Sequence, residues 1–133
     1  MKYFMHDNNL RNEPEIKTLA ETVGSTVAAI GIASVIWECV CLHGDDEFHL
    51  PLKGKYNAAF WAREFGLPKT ASKGEPWLIL TNAASAGVID FDALTKDGVV
   101  WAPELRNRLD RWSKQKTAAA RKSKNPERPE VEA

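Results

Sequence analysis

Apolar positions along the chain fall into helical and strand-like spacings that glycines and prolines punctuate. Ile16, Leu19, Ala20 and Val23 recur at helical spacing, Pro14 suits a first helical turn and Gly24 a stop, predicting a short helix over 15–22. Ser25 then caps a long second helix to about residue 42. Within it Val27, Ile30, Ile32, Ala33, Val35, Ile36, Trp37, Val40 and Leu42 leave almost no polar face. Such a helix is expected at the centre, packed on several sides. Gly31 inside it costs about 1 kcal/mol relative to alanine, so another backbone is expected to cross closely there.

The turn His43-Gly44-Asp45-Asp46 precedes Glu47-Phe48-His49-Leu50, whose alternation reads as a short strand closed by Pro51 and Gly54. A third helix is predicted over 57–65, with Ala58, Trp61, Ala62 and Phe65 inward and Gly66 at its end. Residues 68–74 form a connecting turn. Pro76 sits at the start of a fourth helix over 75–86, stopped by Gly87, with Trp77, Leu80 and Ala84 as its inner stripe. Residues 88–91 and 99–101 are predicted as two strands bracketing 92–98, where Asp97-Gly98 is a hairpin signal. Pro103 opens a last helix from 104 to about 120, and 125–133, with two prolines, reads as a disordered tail.

Three helices followed by a two-stranded hairpin is the winged-helix order, with the short strand after the long helix joining the hairpin. The predicted fold class is therefore α+β: a mostly helical winged helix-turn-helix with a small antiparallel sheet and a C-terminal basic helix. Its parts are a domain over 1–103, a basic arm over 104–124 and the tail over 125–133. At 133 residues there is room for one such core.

Composition changes the picture only through its distribution. Formal net charge is zero, yet Arg106, Arg108, Arg111, Lys114, Lys116, Arg121, Lys122 and Lys124 meet a single acid, Asp110. Neutral totals hide a cationic arm. Cys39 and Cys41 are too close on one helix for a structural disulfide. Asp7, Arg11 and Glu13 argue against a signal peptide, and the apolar run over 27–42 falls short of the roughly 20 residues of a membrane span. A cytoplasmic protein is expected.

The opening Lys2-Tyr3-Phe4-Met5-His6-Asp7-Asn8-Asn9-Leu10-Arg11-Asn12-Glu13-Pro14-Glu15-Ile16 resembles the "YFxHDxxARNDPKI" start of a phage replication-protein N-terminal domain family, related to the winged-helix parts of replisome organisers. Residues 30–38 are similar to that family's "GYGIYWMLLE" helix, and Ala86-Gly87-Val88-Ile89 with Asp97-Gly98-Val99-Val100-Trp101 to its "GLF…DGVYWS" hairpin. The basic run from Arg106 to Lys124 is similar to the helix that follows. The likeness covers about residues 2–120, and its first motif is the distinctive one. Leu10 stands where the family has a small residue, and Ile30 replaces the aromatic of "GYG". Family members continue into a second domain that contacts helicase or loader, so the resemblance implies the DNA-binding half, in a bacterial host cell.

In a winged helix the helix before the hairpin enters the major groove. Here Glu75, Thr81, Asn82 and Ser85 are its outward candidates, and Lys69, Thr70, Ser72 and Lys73 precede its positive end, where phosphate is held. That helix lacks arginine and lysine, so a solvated face is the alternative. Lys96 is the one cation of the expected wing, between Asp92 and Asp97, and offers at best a weak phosphate contact. The arm (Arg106, Arg108, Arg111, Lys114, Lys116, Arg121, Lys122) fits salt-sensitive phosphate binding or a solubilising tail.

His6-Asp7 reads as structural. Cys39, Cys41 and His43 hint at zinc, but only Cys39 and His43 share a helical face and no second ligand pair exists, so buried cysteines are expected. No catalytic motif, cofactor or metal site is expected. The resulting expectation is a non-enzymatic protein binding double-stranded DNA in phage replication initiation, with helicase or loader as a further partner. The rivals are a phage transcriptional regulator, which needs a homodimer, and a protein-interaction module inhibiting host machinery, including CRISPR effectors. DNA binding in this mode requires two features: a hairpin after residue 87, and a 75–86 helix that is not interior.

Overall fold

The computed structural model describes residues 10–108 and 110. It is α+β, mostly helical with a small two-stranded antiparallel sheet. The chain divides into two units at Pro103. In the first, a short 3-10 turn, Leu10–Asn12, leads into α1, Pro14–Val23; then come α2, Thr26–His43, β1, His49–Pro51, α3, Ala58–Glu64, and α4, Glu75–Ala86. A π-helical turn, Ala93–Asp97, and β2, Val99–Trp101, complete it.

Local chemistry sets the boundaries. Gly24 takes φ 85°, a left-handed value that costs glycine nothing, and its N–H closes α1 on the Ala20 carbonyl at 2.7 Å. The Ser25 hydroxyl accepts from the Ala28 N–H at 3.1 Å and caps α2. The Asn57 side chain does the same for α3 through the Phe60 N–H. Helices α1, α2 and α4 pack together, and Ile16, Leu19, Ile36, Val40 and Leu80 are fully buried. Each such side chain contributes about 1.5–3 kcal/mol by leaving water.

Two expectations about α2 are corrected. It is central on one face only: 39% of it is buried, while Val27 is 81% exposed and Leu42 50%. Among the described residues nothing lies within 4 Å of where a Cβ on Gly31 would stand, and none of their backbone crosses there. Hydrophobicity all round the helix does not mean cover all round it. By length and composition α2 would suffice to cross a membrane, yet Trp37 and Cys39 tie it into the domain through Val88 and Glu64.

The hairpin is corrected too. β2 pairs with β1, in the register His49↔Trp101, Leu50↔Val100 and Pro51↔Val99. Leu50 and Val100 point into the core, whereas His49 stacks on Trp101 at 5.1 Å. Pro51 has no N–H to donate and sits on an edge strand, where that is tolerated. Residues 88–91 form no strand; one backbone bond, Asp90 N–H to the Trp101 carbonyl at 2.8 Å, links that leg to β2. The expected open wing is a helical turn. Asp90 Oδ2 accepts from the Ala93 N–H at 2.9 Å and starts it, and Gly98, at φ 65°, ends it with its N–H on the Ala93 carbonyl.

In the second unit, residues 105–108 are helical, and Leu105 and Arg108 are buried. His6, Asp7, Arg111, Trp112, Lys114, Lys116, Arg121, Lys122 and the predicted tail lie outside the described residues.

Candidate nucleic-acid interface

The segment between α3 and α4 brings together most of the predicted phosphate-binding residues. α3 ends where Gly66, at φ 70°, donates to the Arg63 carbonyl and Leu67 donates to that of Ala62. These bonds satisfy carbonyls that the helix end leaves open. Two turns follow. The Ala71 N–H closes the first on the Pro68 carbonyl at 2.9 Å, and the Glu75 N–H closes the second on that of Ser72 at 3.1 Å. Each turn carries a lysine at its second position, Lys69 and Lys73, where the side chain is exposed. Thr70 and Ser72 are exposed beside them. Gly74 gives α4 no side-chain cap, but the Glu75 N–H is already taken by the Ser72 carbonyl and Pro76 has none, so the helix start contributes its dipole rather than free donors.

Arg63 belongs to this cluster, although nothing in the sequence pattern singles it out. It is exposed in the last turn of α3, 5.9 Å from the Phe60 ring, and lines the same groove as Lys69 and Lys73. Its sequence signal is faint: a lone cation on a seven-residue helix.

Along α4, Leu80, Ala83 and Ala84 face the core, and Trp77, expected inward, is only half-buried. Ser85 is exposed, while Glu75, Thr81 and Asn82 are half-buried. Thr81 donates its hydroxyl to the Trp77 carbonyl at 2.7 Å, which occupies its proton. The outermost large side chain is apolar, Leu78, at 55% exposure. Thus the helix is at the surface, but its open side carries no cation.

Lys96 lies on the turn between Asp90 and Gly98, with its Nζ 3.9 Å from Asp92 Oδ2. Of the arm, Arg106 is exposed, whereas Arg108 is buried at 5% exposure, contrary to the expectation of a freely presented cation. The Cys-x-Cys-x-His pattern does not converge. Cys39 Sγ donates to Glu64 Oε1 at 3.7 Å, Cys41 is half-buried, and the His43 ring packs on Tyr56 and Phe60. Among the described residues no group of three or more His, Cys, Asp or Glu could hold a metal.

Of the two features that DNA binding in the winged-helix mode requires, the exposed helix is present. The hairpin after residue 87 is absent: residues 88–91 form no strand and the expected wing is a folded turn, so the winged-helix mode of DNA binding is not met. No protein family, curated protein or solved structure matches this chain.

Proposed function

We propose that this chain binds double-stranded DNA through the turns between α3 and α4, a phosphate-led mode that does without the absent winged-helix hairpin, in phage or prophage replication initiation. The observation that carries it is the pair of consecutive turns presenting Lys69 and Lys73 beside the uncapped start of α4. Exposed cations beside the positive end of a helix dipole favour a phosphate. The replication role rests on the resemblance of the opening motif. With no arginine or lysine on α4, the mode is led by phosphate contacts, and base reading is left to Asn82 and Ser85.

Fluorescence anisotropy on a labelled duplex across a salt series tests it. Binding should weaken linearly in log[salt], and Lys69→Glu with Lys73→Glu should flatten the slope by roughly 0.9 for each phosphate no longer neutralised. Absence of binding at low salt on any duplex rejects the reading. A protein-interaction module is the second reading, favoured by Leu78 on the open side of α4 and Val27 on that of α2.

A further inference from the structure

The groove between α3, the two lysine turns and the start of α4 has a volume of about 620 Å³, within the range of roughly 300–1,000 Å³ in which proteins hold ligands. Its lining divides by depth. The covered positions are all apolar: Ala58, Ala62, Leu67 and Ala71 are half-buried and Pro76 is fully buried. The charged lining residues are Arg63, Lys69 and Lys73, all exposed, and among the described residues no acid lines the groove. A phosphodiester backbone would use the rim and leave the floor idle, since it has no apolar side chain to place there. A free small anion would leave the floor idle as well.

We infer that this groove binds an acidic peptide segment of a protein partner, with an aliphatic or aromatic side chain of that segment seated on the Ala58–Leu67–Pro76 floor and flanking Asp or Glu residues on Arg63, Lys69 and Lys73. Charge complementarity selects the occupant, because three cations face no internal counter-charge in the lining. The floor selects the anchor, because apolar surface gains only from apolar cover. Alanines at Ala58 and Ala62 make the room: a larger residue at either would fill it. Peptide and duplex would compete for the rim cations Lys69 and Lys73, and only the peptide would use the floor.

Selection of a displayed library of random peptides against the full-length chain tests it. The selected peptides should share an apolar residue flanked by acids. Ala62→Trp, which fills the floor and leaves every charge in place, should weaken their binding about tenfold or more, as should Lys69→Glu with Lys73→Glu. In the peptides themselves, replacing the apolar residue by serine should cause a similar loss, a measurement independent of how the protein variant folds. Duplex affinity of Ala62→Trp should stay unchanged, which separates failure of this inference from failure of the DNA reading. No enrichment, enrichment of basic peptides, or peptides that bind equally well after loss of their apolar residue would each overturn it.

Discussion

The indole Nε1 of Trp37 donates to the carbonyl oxygen of Val88 across 3.3 Å, joining the middle of α2 to the segment that leaves α4. Both residues are buried, so neither group has water as a substitute. Trp37→Phe keeps much of the ring and deletes the donor. It should lower stability by about 1–3 kcal/mol, read from chemical denaturation, because a buried carbonyl then loses this donor. An unchanged denaturation midpoint would show that the bond contributes nothing.

Gly31 and Gly44 should respond in opposite directions to alanine. No described residue stands within 4 Å of a Cβ added at Gly31, so Gly31→Ala should raise stability by up to about 1 kcal/mol through helix propensity. At Gly44 a Cβ would meet the Val40 carbonyl oxygen at 2.5 Å and the His49 carbonyl oxygen at 3.1 Å. Gly44→Ala must push backbone aside, and a loss of about 1–3 kcal/mol is expected. Thermal melts of the two variants check the sign of each.

Lys96 should be dispensable for duplex binding. It sits on a folded turn 3.9 Å from Asp92, not at the tip of an extended hairpin. Lys96→Ala should leave both affinity and salt slope where they were, while the Lys69 and Lys73 variants shift them. A comparable loss from Lys96→Ala would return the turn to the interface.

The two thiols should differ in reactivity. Burial, reinforced by the Glu64 carboxylate beside it, pushes Cys39 up to about 12, and burial also raises Cys41. Thiolates, not thiols, are alkylated. In the folded protein at mildly alkaline pH, iodoacetamide should modify half-buried Cys41 and spare Cys39, and mass spectrometry locates the label. Linkage gives the pH dependence: Cys39 stays protonated in the fold but ionises from 9.0 upward when unfolded. Its contribution to stability is therefore whole below pH 9.0 and fades as pH climbs toward 12.

Asp45 should titrate below its ordinary value of 3.8. Its carboxylate accepts from the His49 backbone N–H at 3.0 Å and the Glu47 N–H at 2.9 Å, with His49 Nδ1 at 3.3 Å; the His49 backbone bond is the leading cause. A lowered carboxyl contributes stability above pH 3.8, lost as pH falls through the depressed value. Carboxyl carbon shifts followed by NMR would show it, and titration at or above 3.8 would mean these bonds do not hold the ionised form.

Helix positions are legible in the sequence because their punctuation is local. Pro14 with Gly24, the Ser25 cap, Gly66 and Gly87 mark ends that the structure keeps to within a residue or two. The hairpin is not, because Asp90 and Asp97-Gly98 each have two meanings. Asp90 reads as a polar strand position, yet its Oδ2 caps a helical turn, and Gly98 supplies the left-handed close of that turn in place of a hairpin's. The Thr95 hydroxyl on the Phe91 carbonyl and Lys96 near Asp92 add helical-spacing partners that a strand would separate. Composition cannot report cover from outside, so the apolar run of α2 reads as surrounded when it is not. Of the candidate site, the lysines are visible as charges, but the floor of Ala58, Ala62 and Pro76 is not, since small residues gain meaning only from what stands opposite them.

Because β1 finds its hydrogen-bonded neighbour in β2, the chain emerging from a ribosome carries Leu50 unsheltered until Val100 has been made. The helices between residues 14 and 86 have local contacts and can begin to form early, whereas this pairing must await a distant strand. A nascent polypeptide halted before Val99 would thus present a bare strand edge, an invitation to chaperones and to other unfinished copies. The last three residues of the first unit's sheet work as its latch.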